Sequence, residues 1–116
     1  MPAVTVHAPV PADQETISRC LAAITERLAE ALQQELSTVR AHWVPTVDPG
    51  GPTARTPDGA MLVIRARAGR HGGVIQQGLR AAAEATAESL SCPLADVWVH
   101  WEEFRPGRSF AGGGIR

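Results

Sequence analysis

The pattern Val-x-x-His-Trp occurs twice in this chain of 116 residues, as Val39-Arg-Ala-His-Trp43 and as Val97-Trp-Val-His-Trp101. The two copies lie 58 residues apart, and the same offset aligns the segments before them without a gap. Further matches are the pairs Ile17 and Ile75, Leu21 and Leu79, Glu26 and Glu84, Glu30 and Glu88, Leu32 and Leu90, and Leu36 and Leu94. Self-similarity at a fixed period indicates a duplicated structural unit. The sequence therefore predicts one unit present twice.

The first copy contains the signals of a strand, a helix and a second strand. Val4 and Val6 alternate with less apolar residues, which is the period of a strand. Asp13 is a suitable N-cap, because its carboxylate can accept from the free amides of a first helical turn. The apolar residues after it recur at helical spacing, and they are Ile17, Cys20, Leu21, Ile24, Leu28 and Leu32. A second strand is predicted from Val39 to Val44.

The second copy repeats this order of elements. We predict a strand from Met61 to Ala66, a helix from about Gly73 to Ser89 and a strand from Val97 to Trp101. A strand, a crossover helix and a second strand form a β-α-β unit with parallel strands. Two such units are expected to join into a four-stranded mixed sheet with both helices on one face, an α/β (α+β) fold. The other face keeps apolar residues, and oligomerisation is their natural cover.

The domain organisation follows from the same alignment. We expect one domain over residues 1–116, with unit one at 2–44, a connector at 45–59 and unit two at 60–116. The connector is rich in proline and glycine, which are typical of turns. Residues 105–116 contain clustered glycines, which permit tight turns, and we predict a terminal hairpin there.

The composition limits the possible partners and locations. Apolar residues make up 44% of the chain, charged residues 20%, and the formal net charge is −1. A nearly neutral protein offers no field for polyanions, and no apolar run reaches the roughly 20 residues of a membrane span. We therefore expect neither nucleic acid nor a membrane as a partner.

Two cysteines, Cys20 and Cys92, do not make a disulfide framework, so the cytoplasm is the expected location. The four histidines lack metal-ligand spacing, and we expect no metal and no cofactor.

The C-terminal part of the sequence carries a family resemblance. Residues 93–104, Pro-Leu-Ala-Asp-Val-Trp-Val-His-Trp-Glu-Glu-Phe, and the glycine-rich residues 105–114 resemble the second strand and closing hairpin of the 4-oxalocrotonate tautomerase family. The tandem β-α-β units and the Met1-Pro2 start fit the same superfamily. The resemblance covers essentially the whole chain except the connector. It implies a homotrimer with the tautomerase fold, acting on small enols and 2-keto acids through an amino-terminal proline.

Pro2 is therefore the candidate catalytic residue. Removal of Met1 would expose a secondary amine. Such an amine is protonated in water at neutral pH, but burial and a nearby guanidinium group both disfavour its cation and lower its pKa. It can then accept a proton from one atom of the substrate and return it to another. Pro2 aligns with Ala60 of the second copy, which has no free amine, so one such site per chain is expected.

Arginines of the second copy are the candidate carboxylate ligands. Arg67 and Arg70 align with Pro9 and Ala12 of the first copy. The resemblance implies that arginines at these positions bind the substrate carboxylate, and the planar guanidinium group suits a carboxylate geometrically. Arg65 lies on the same strand face as Arg67 by alternation and is the fallback.

Three further positions are carried over from the resemblance. Arg40 matches the family's arginine on the second strand. Trp98 occupies the same place in the second copy and would form an apolar pocket wall. Phe110 resembles the phenylalanine of the family's hairpin, allowing one inserted residue, and would keep the amine desolvated.

Three functions remain open at this stage. The leading one is a tautomerase or isomerase that moves a proton between carbon and oxygen of a small acid. The second is another Pro2-dependent reaction, such as hydration or decarboxylation. The resemblance implies that a dehalogenase of this superfamily would carry a water-activating glutamate near the C-terminal end. Residues 105–116 contain no acidic side chain, so hydrolytic dehalogenation is disfavoured. The third is a catalytically silent trimeric binding or structural protein, which applies if Met1 is retained and Pro2 is an amide.

Overall fold

A computed structural model describes residues 2–9, 13–46 and 60–116 of the chain. Most of the predicted connector, together with Met1 and residues 10–12, lies outside the described residues. The elements in chain order are β1 (Ala3–Ala8), α1 (Gln14–Leu32), β2 (Arg40–Pro45), β3 (Met61–Arg67), α2 (Gly72–Leu90), β4 (Trp98–Phe104), β5 (Phe110–Ala111) and β6 (Gly114–Ile115). The predicted terminal hairpin is confirmed, because β5 and β6 pair antiparallel.

The two helices begin and end at positions related by the 58-residue offset. The Asp13 side chain caps α1 by accepting from a first-turn amide at 2.8 Å, as predicted. The Nδ1 atom of His71 caps α2 by accepting from the Gly73 amide at 3.1 Å. Each helix ends at a residue with left-handed backbone geometry, and these residues are Gln33 and Ser91. The duplication therefore extends to the local backbone conformation.

The strands form the predicted four-stranded mixed sheet, in the order β2-β1-β3-β4. The pairs β1–β2 and β3–β4 are parallel, one within each unit. The pair β1–β3 joins the two units and is antiparallel, with Ala3 opposite Arg65 and His7 opposite Met61. Because the central pair is antiparallel, the start of β1 lies at the same end of the sheet as the end of β3.

Element boundaries differ from the predictions by a few residues. The strand β4 continues to Phe104, three residues beyond the predicted end at Trp101. Its extension carries Glu102, whose carboxylate pairs with the guanidinium group of Arg65 on the neighbouring strand at 3.1 Å. An exposed strand face tolerates such a cross-strand charge pair. The helix α2 is one residue longer at each end than predicted, since His71 supplies the cap before Gly72.

The core lies between the two helices and one face of the sheet. It is formed by alternate strand residues together with the apolar stripe of each helix. Its fully buried members include Val4, Val6, Leu62 and Ile64 from the sheet, and Cys20, Ile24 and Leu28 from α1. The helix α2 contributes small residues, among them Gly78, Ala82 and Ala85. A methyl group added at Gly78 would lie 3.0 Å from Leu32 Cδ2, so the two helices approach each other closely there.

The opposite face of the sheet is not covered by the helices. Its residues alternate with the core residues, and Trp98 on this face is 64% exposed. Apolar side chains remain on it beside charged ones, including Met61 and Val63 on the central strand β3. The uncovered face agrees with the expectation drawn from the two-helix repeat.

Candidate active site

Pro2 lies at one end of the sheet, close to the end of β3. Its side chain is less than 2% exposed, and its carbonyl accepts a hydrogen bond from the Arg40 amide at 3.1 Å. Continuing the antiparallel register by one residue from the pair of Ala3 and Arg65 brings Pro2 level with Ala66. We call this edge the proline end of the sheet. The residues at this end include Pro2, Arg40 and Arg67. Arg40 is the first residue of β2, and Arg67 is the last residue of β3.

The arginines at the proline end differ in their partners. Arg65 is bound to Glu102, so the fallback ligand is already paired. Arg40 and Arg67 are exposed, and neither forms an ion pair with a carboxylate of the described residues. These two guanidinium groups therefore remain available to an anion at this end of the sheet.

Arg70 lies in the turn between β3 and α2. Its Nη1 atom donates to the Arg67 carbonyl at 3.3 Å. Its guanidinium carbon lies 6.0 Å from the centroid of the Trp101 ring, within the range of a cation–π contact. Both contacts hold the charged group beside the end of β3. The Arg70 side chain thus lies at the backbone of Arg67, and Arg70 is half-buried while Arg67 is exposed.

Trp98 lies at the opposite end of the sheet. It pairs with Met61, and Met61 in turn pairs with His7 near the end of β1. Five residues along a strand separate the level of His7 from that of Pro2, which corresponds to about 17 Å at the usual rise. The chain by itself therefore does not bring Trp98 to Pro2. Phe110, in the hairpin strand β5, is 70% exposed.

Cavities beside the sheet include two that are lined by predicted site residues. One, of about 550 Å³, lies between α2 and the outer strand β4, with Leu79, Leu94 and Trp98 in its wall. The other, of about 340 Å³, lies between the end of β3 and the hairpin, and contains Arg67 and Arg116. Sequence reasoning missed Arg116. The predicted hairpin was the available signal, since it returns Arg116 to Gly107 and Ser109.

The pKa shifts of Cys20 and Glu88, away from the proline end, follow from their places in the fold. Burial raises the pKa of the Cys20 thiol, in agreement with its place in the core. The side chain of Arg27 pairs with Glu88 between the helices and lowers the pKa of that carboxyl. Over residues 2–9, 13–46 and 60–116, no three His, Cys, Asp or Glu side chains are grouped as metal ligands. Within the same residues, neither helix combines the length and apolar character needed to span a bilayer.

Solved structures with the same architecture were found. A native fused 4-OT is 20% identical, with 97% of this chain and 94% of that chain covered and a TM-score of 0.87. The F6 fused 4-OT, described as an asymmetric trimer, is 17% identical over the same shares of the two chains, with a TM-score of 0.88. The protein Pt0534, inactivated by 2-oxo-3-pentynoate, is 21% identical over 97% and 94% of the chains, with a TM-score of 0.80. This chain has the tautomerase fold.

The tautomerase fold confirms the architecture that the repeat predicted. No protein-family model matches the sequence, and no curated protein matches it. At these identities the likeness to solved structures establishes the fold.

Proposed function

We propose that the chain is a tautomerase or isomerase acting on a small enol or 2-keto acid, with the amine of Pro2 as general base and acid. The observation that carries the proposal is the position of Pro2. It is a buried proline at the head of β1, at the sheet end that also holds Arg40, Arg67 and Arg70. The inactivation of Pt0534, a protein of the same fold, by a 2-oxo acid supports this substrate class.

The reaction requires a neutral amine at Pro2. Removal of Met1 leaves a secondary amine, and the apolar core beside it together with the nearby guanidinium groups disfavours its protonated form. The nitrogen takes the proton of the enol hydroxyl while the carbonyl bond forms. The same nitrogen then delivers that proton to the carbon of the former double bond. The amine ends the cycle neutral, so no external acid or base is consumed.

The arginines would hold the carboxylate of the substrate. Arg67 and Arg70 both donate from the end of β3, and a guanidinium fork binds a planar carboxylate through two hydrogen bonds. Arg40 adds a positive charge from the first residue of β2. Negative charge that develops on the substrate oxygen during proton transfer is stabilised by the same groups.

Trp98 would serve a Pro2 site from a neighbouring chain. A second copy must supply it, because about 17 Å along the strands separates it from the proline end of its own sheet. The uncovered sheet face and the exposed Phe110 provide surfaces for such contacts. A homotrimer with one proline site per chain satisfies these requirements, and the trimeric F6 fused 4-OT has the same fold. One domain and a cytoplasmic location are part of this proposal.

The first test combines intact-protein mass with an ultraviolet assay of phenylenolpyruvate ketonisation. We expect a mass lower by one methionine and a measurable rate. Pro2→Ala should reduce that rate by roughly 100-fold or more, since general acid–base catalysis contributes on that scale. Pro9→Ala is the matched control, because Pro9 is an exposed proline after the far end of β1.

The opposite results are equally informative. A mass that retains Met1, together with no turnover, would refute the mechanism and favour a catalytically silent trimeric binding protein. A Pro2-dependent turnover of a 2-keto acid that yields a hydrated or decarboxylated product would instead identify the second reaction class.

A further inference from the structure

The cavity at the hairpin has the dimensions of a small-molecule site. Its volume of about 340 Å³ falls in the range of ligand pockets, which begins near 300 Å³. Its wall is formed by residues from three elements: Arg67 at the end of β3, Phe104 at the end of β4, and Ser109, Ala111 and Arg116 in the hairpin. It therefore lies on the same side of the molecule as the proline end.

The hairpin holds Arg116 in place through its backbone and its side chain. The Arg116 amide donates to the Ser109 carbonyl at 2.7 Å, and the Arg116 carbonyl accepts from the Gly107 amide at 2.7 Å. The Nε atom donates to the Ala111 carbonyl at 3.2 Å. Gly112 has a φ of +60°, and a side chain there would come within 3.2 Å of Nη2. The turn thus fixes the guanidinium group and leaves room for it.

Arginine side chains provide the charged part of this cavity wall. Two guanidinium groups, those of Arg67 and Arg116, line it. Neither forms an ion pair with a carboxylate of residues 2–9, 13–46 or 60–116. Like charges in one cavity repel each other, and an anion between them would replace that repulsion by two charge-assisted contacts. The Ser109 hydroxyl is a further donor, while Phe104 and Ala111 offer apolar surface.

We propose that this cavity binds a small organic carboxylate, with Arg67 and Arg116 on the carboxylate group and Phe104 against the apolar body. Binding itself needs no chemistry at Pro2. The further step, in which the bound group is the carboxylate of the reacting substrate, rests on the proposed function, and it makes Arg116 an additional substrate-binding residue beside Arg67 and Arg70.

Benzoate is a suitable probe, because it joins a carboxylate to an aromatic ring. The full-length ¹⁵N-labelled protein is titrated with benzoate, and the amides of Ser109 and Ala111 are followed by NMR. We expect saturable shifts. Arg116→Gln should weaken binding roughly 10- to 100-fold, which corresponds to the loss of a charged hydrogen-bond partner. Arg108→Gln is the matched control, since Arg108 is an exposed hairpin arginine outside the cavity wall.

Three outcomes would overturn the proposal: no saturable shift, equal binding by the Arg116→Gln and wild-type proteins, or equal binding of uncharged benzyl alcohol. The Gly107 amide reports whether the hairpin is intact in Arg116→Gln, since it donates to the Arg116 carbonyl. If that variant loses the hairpin, Arg67→Gln is the test instead, because Arg67 lies in β3 and its substitution leaves the hairpin sequence unchanged. Arg67→Gln should weaken benzoate binding to the same extent, and unchanged binding would overturn the proposal.

A Pro2→Ala variant separates this inference from the proposed function. The anion site predicts that benzoate binding persists in Pro2→Ala while ketonisation is lost. If the site also anchors the substrate, Arg116→Gln raises KM for phenylenolpyruvate with a smaller change in kcat. Binding of benzoate with no effect of Arg116→Gln on KM would refute the anchoring step and leave the anion site standing.

Discussion

The close approach of α1 and α2 at Gly78 makes a quantitative prediction. A methyl group at Gly78 would lie 3.0 Å from Leu32 Cδ2 and 3.3 Å from Leu28 Cδ1. Leu28 is fully buried and Leu32 is 5% exposed, so neither side chain can move into solvent. In a helix interior alanine is favoured over glycine by about 1 kcal/mol, whereas overpacking a core costs about 1 to 3 kcal/mol. We therefore expect Gly78→Ala to lower the free energy of unfolding by about 1 kcal/mol.

A second background tests the cause of this loss. In a Leu32→Ala protein the 3.0 Å contact is absent, and the 3.3 Å approach to Leu28 can relax into the space that the leucine leaves. Gly78→Ala should then raise the free energy of unfolding by about 0.5 to 1 kcal/mol. The coupling between the two substitutions is then about 1.5 to 2 kcal/mol, which a double-mutant cycle measures. Urea unfolding followed by circular dichroism, at one fixed protein concentration, provides the free energies.

Gly72→Ala is the control, because a methyl group there meets nothing within 4 Å. Equal stabilisation of the wild-type and Leu32→Ala proteins by Gly78→Ala would refute the overpacking explanation. That result would mean that the helices separate to accept the methyl group without cost.

Three further predictions concern the cap and the active site. Hydrogen bonds from the Thr16 hydroxyl and, to a smaller extent, the Thr16 amide lower the pKa of the Asp13 carboxyl below its ordinary value of 3.8. The ionised carboxylate therefore stabilises the folded protein at pH values above 3.8. This stabilisation is lost as the pH falls through the pKa that Asp13 has in the folded protein. The difference in urea midpoint between the wild-type and Asp13→Asn proteins should therefore shrink below about pH 4, and a constant difference would contradict it. Arg70→Gln should reduce kcat/KM for phenylenolpyruvate by roughly 10- to 100-fold, whereas an unchanged ratio would remove Arg70 from the site. If the proposed trimer places Trp98 at the Pro2 site of a neighbouring chain, Pro2→Ala and Trp98→Ala proteins, each with reduced activity alone, should recover toward roughly a quarter of the wild-type activity when refolded together, and absence of recovery would show that Trp98 does not act across chains.

The fold was predictable because the sequence contains two copies of the same β-α-β pattern. The gapless offset placed both helices within one residue of their observed ends, and the parallel pairing within each unit followed from the crossover helix. The end of β4 was harder to predict, since Glu102 and Glu103 interrupt the apolar pattern. Strand β4 continues through Glu102 because the Glu102 carboxylate pairs with Arg65 on the neighbouring strand β3. The alternation of residues along one strand does not predict a contact with another strand.

The site was predictable only in part. Aligning the copies singled out Arg67 and Arg70, and in the structure the Arg70 guanidinium group donates to the Arg67 backbone carbonyl. Two other features of the site could be predicted only from the register of the strands in the sheet. The engagement of Arg65 by Glu102 and the distance of Trp98 from Pro2 both follow from which residues face each other across the strands. Arg116 shares a cavity with Arg67 because the hairpin folds back. The clustered glycines predicted the hairpin, but they did not predict which residues it would meet.

The antiparallel junction of β1 with β3 also bears on how such a protein can diverge. When two identical units pair through this junction, the two ends of the sheet must carry the same residues, and any substitution appears at both. Fusion into one chain removes that constraint. Here one end has Pro2 with Arg40, and the related positions at the other end are Ala60 and Trp98. A mutation that improves one end no longer has to be tolerated at the other. The chain is thus free to specialise its two sheet ends separately while keeping a single shared core.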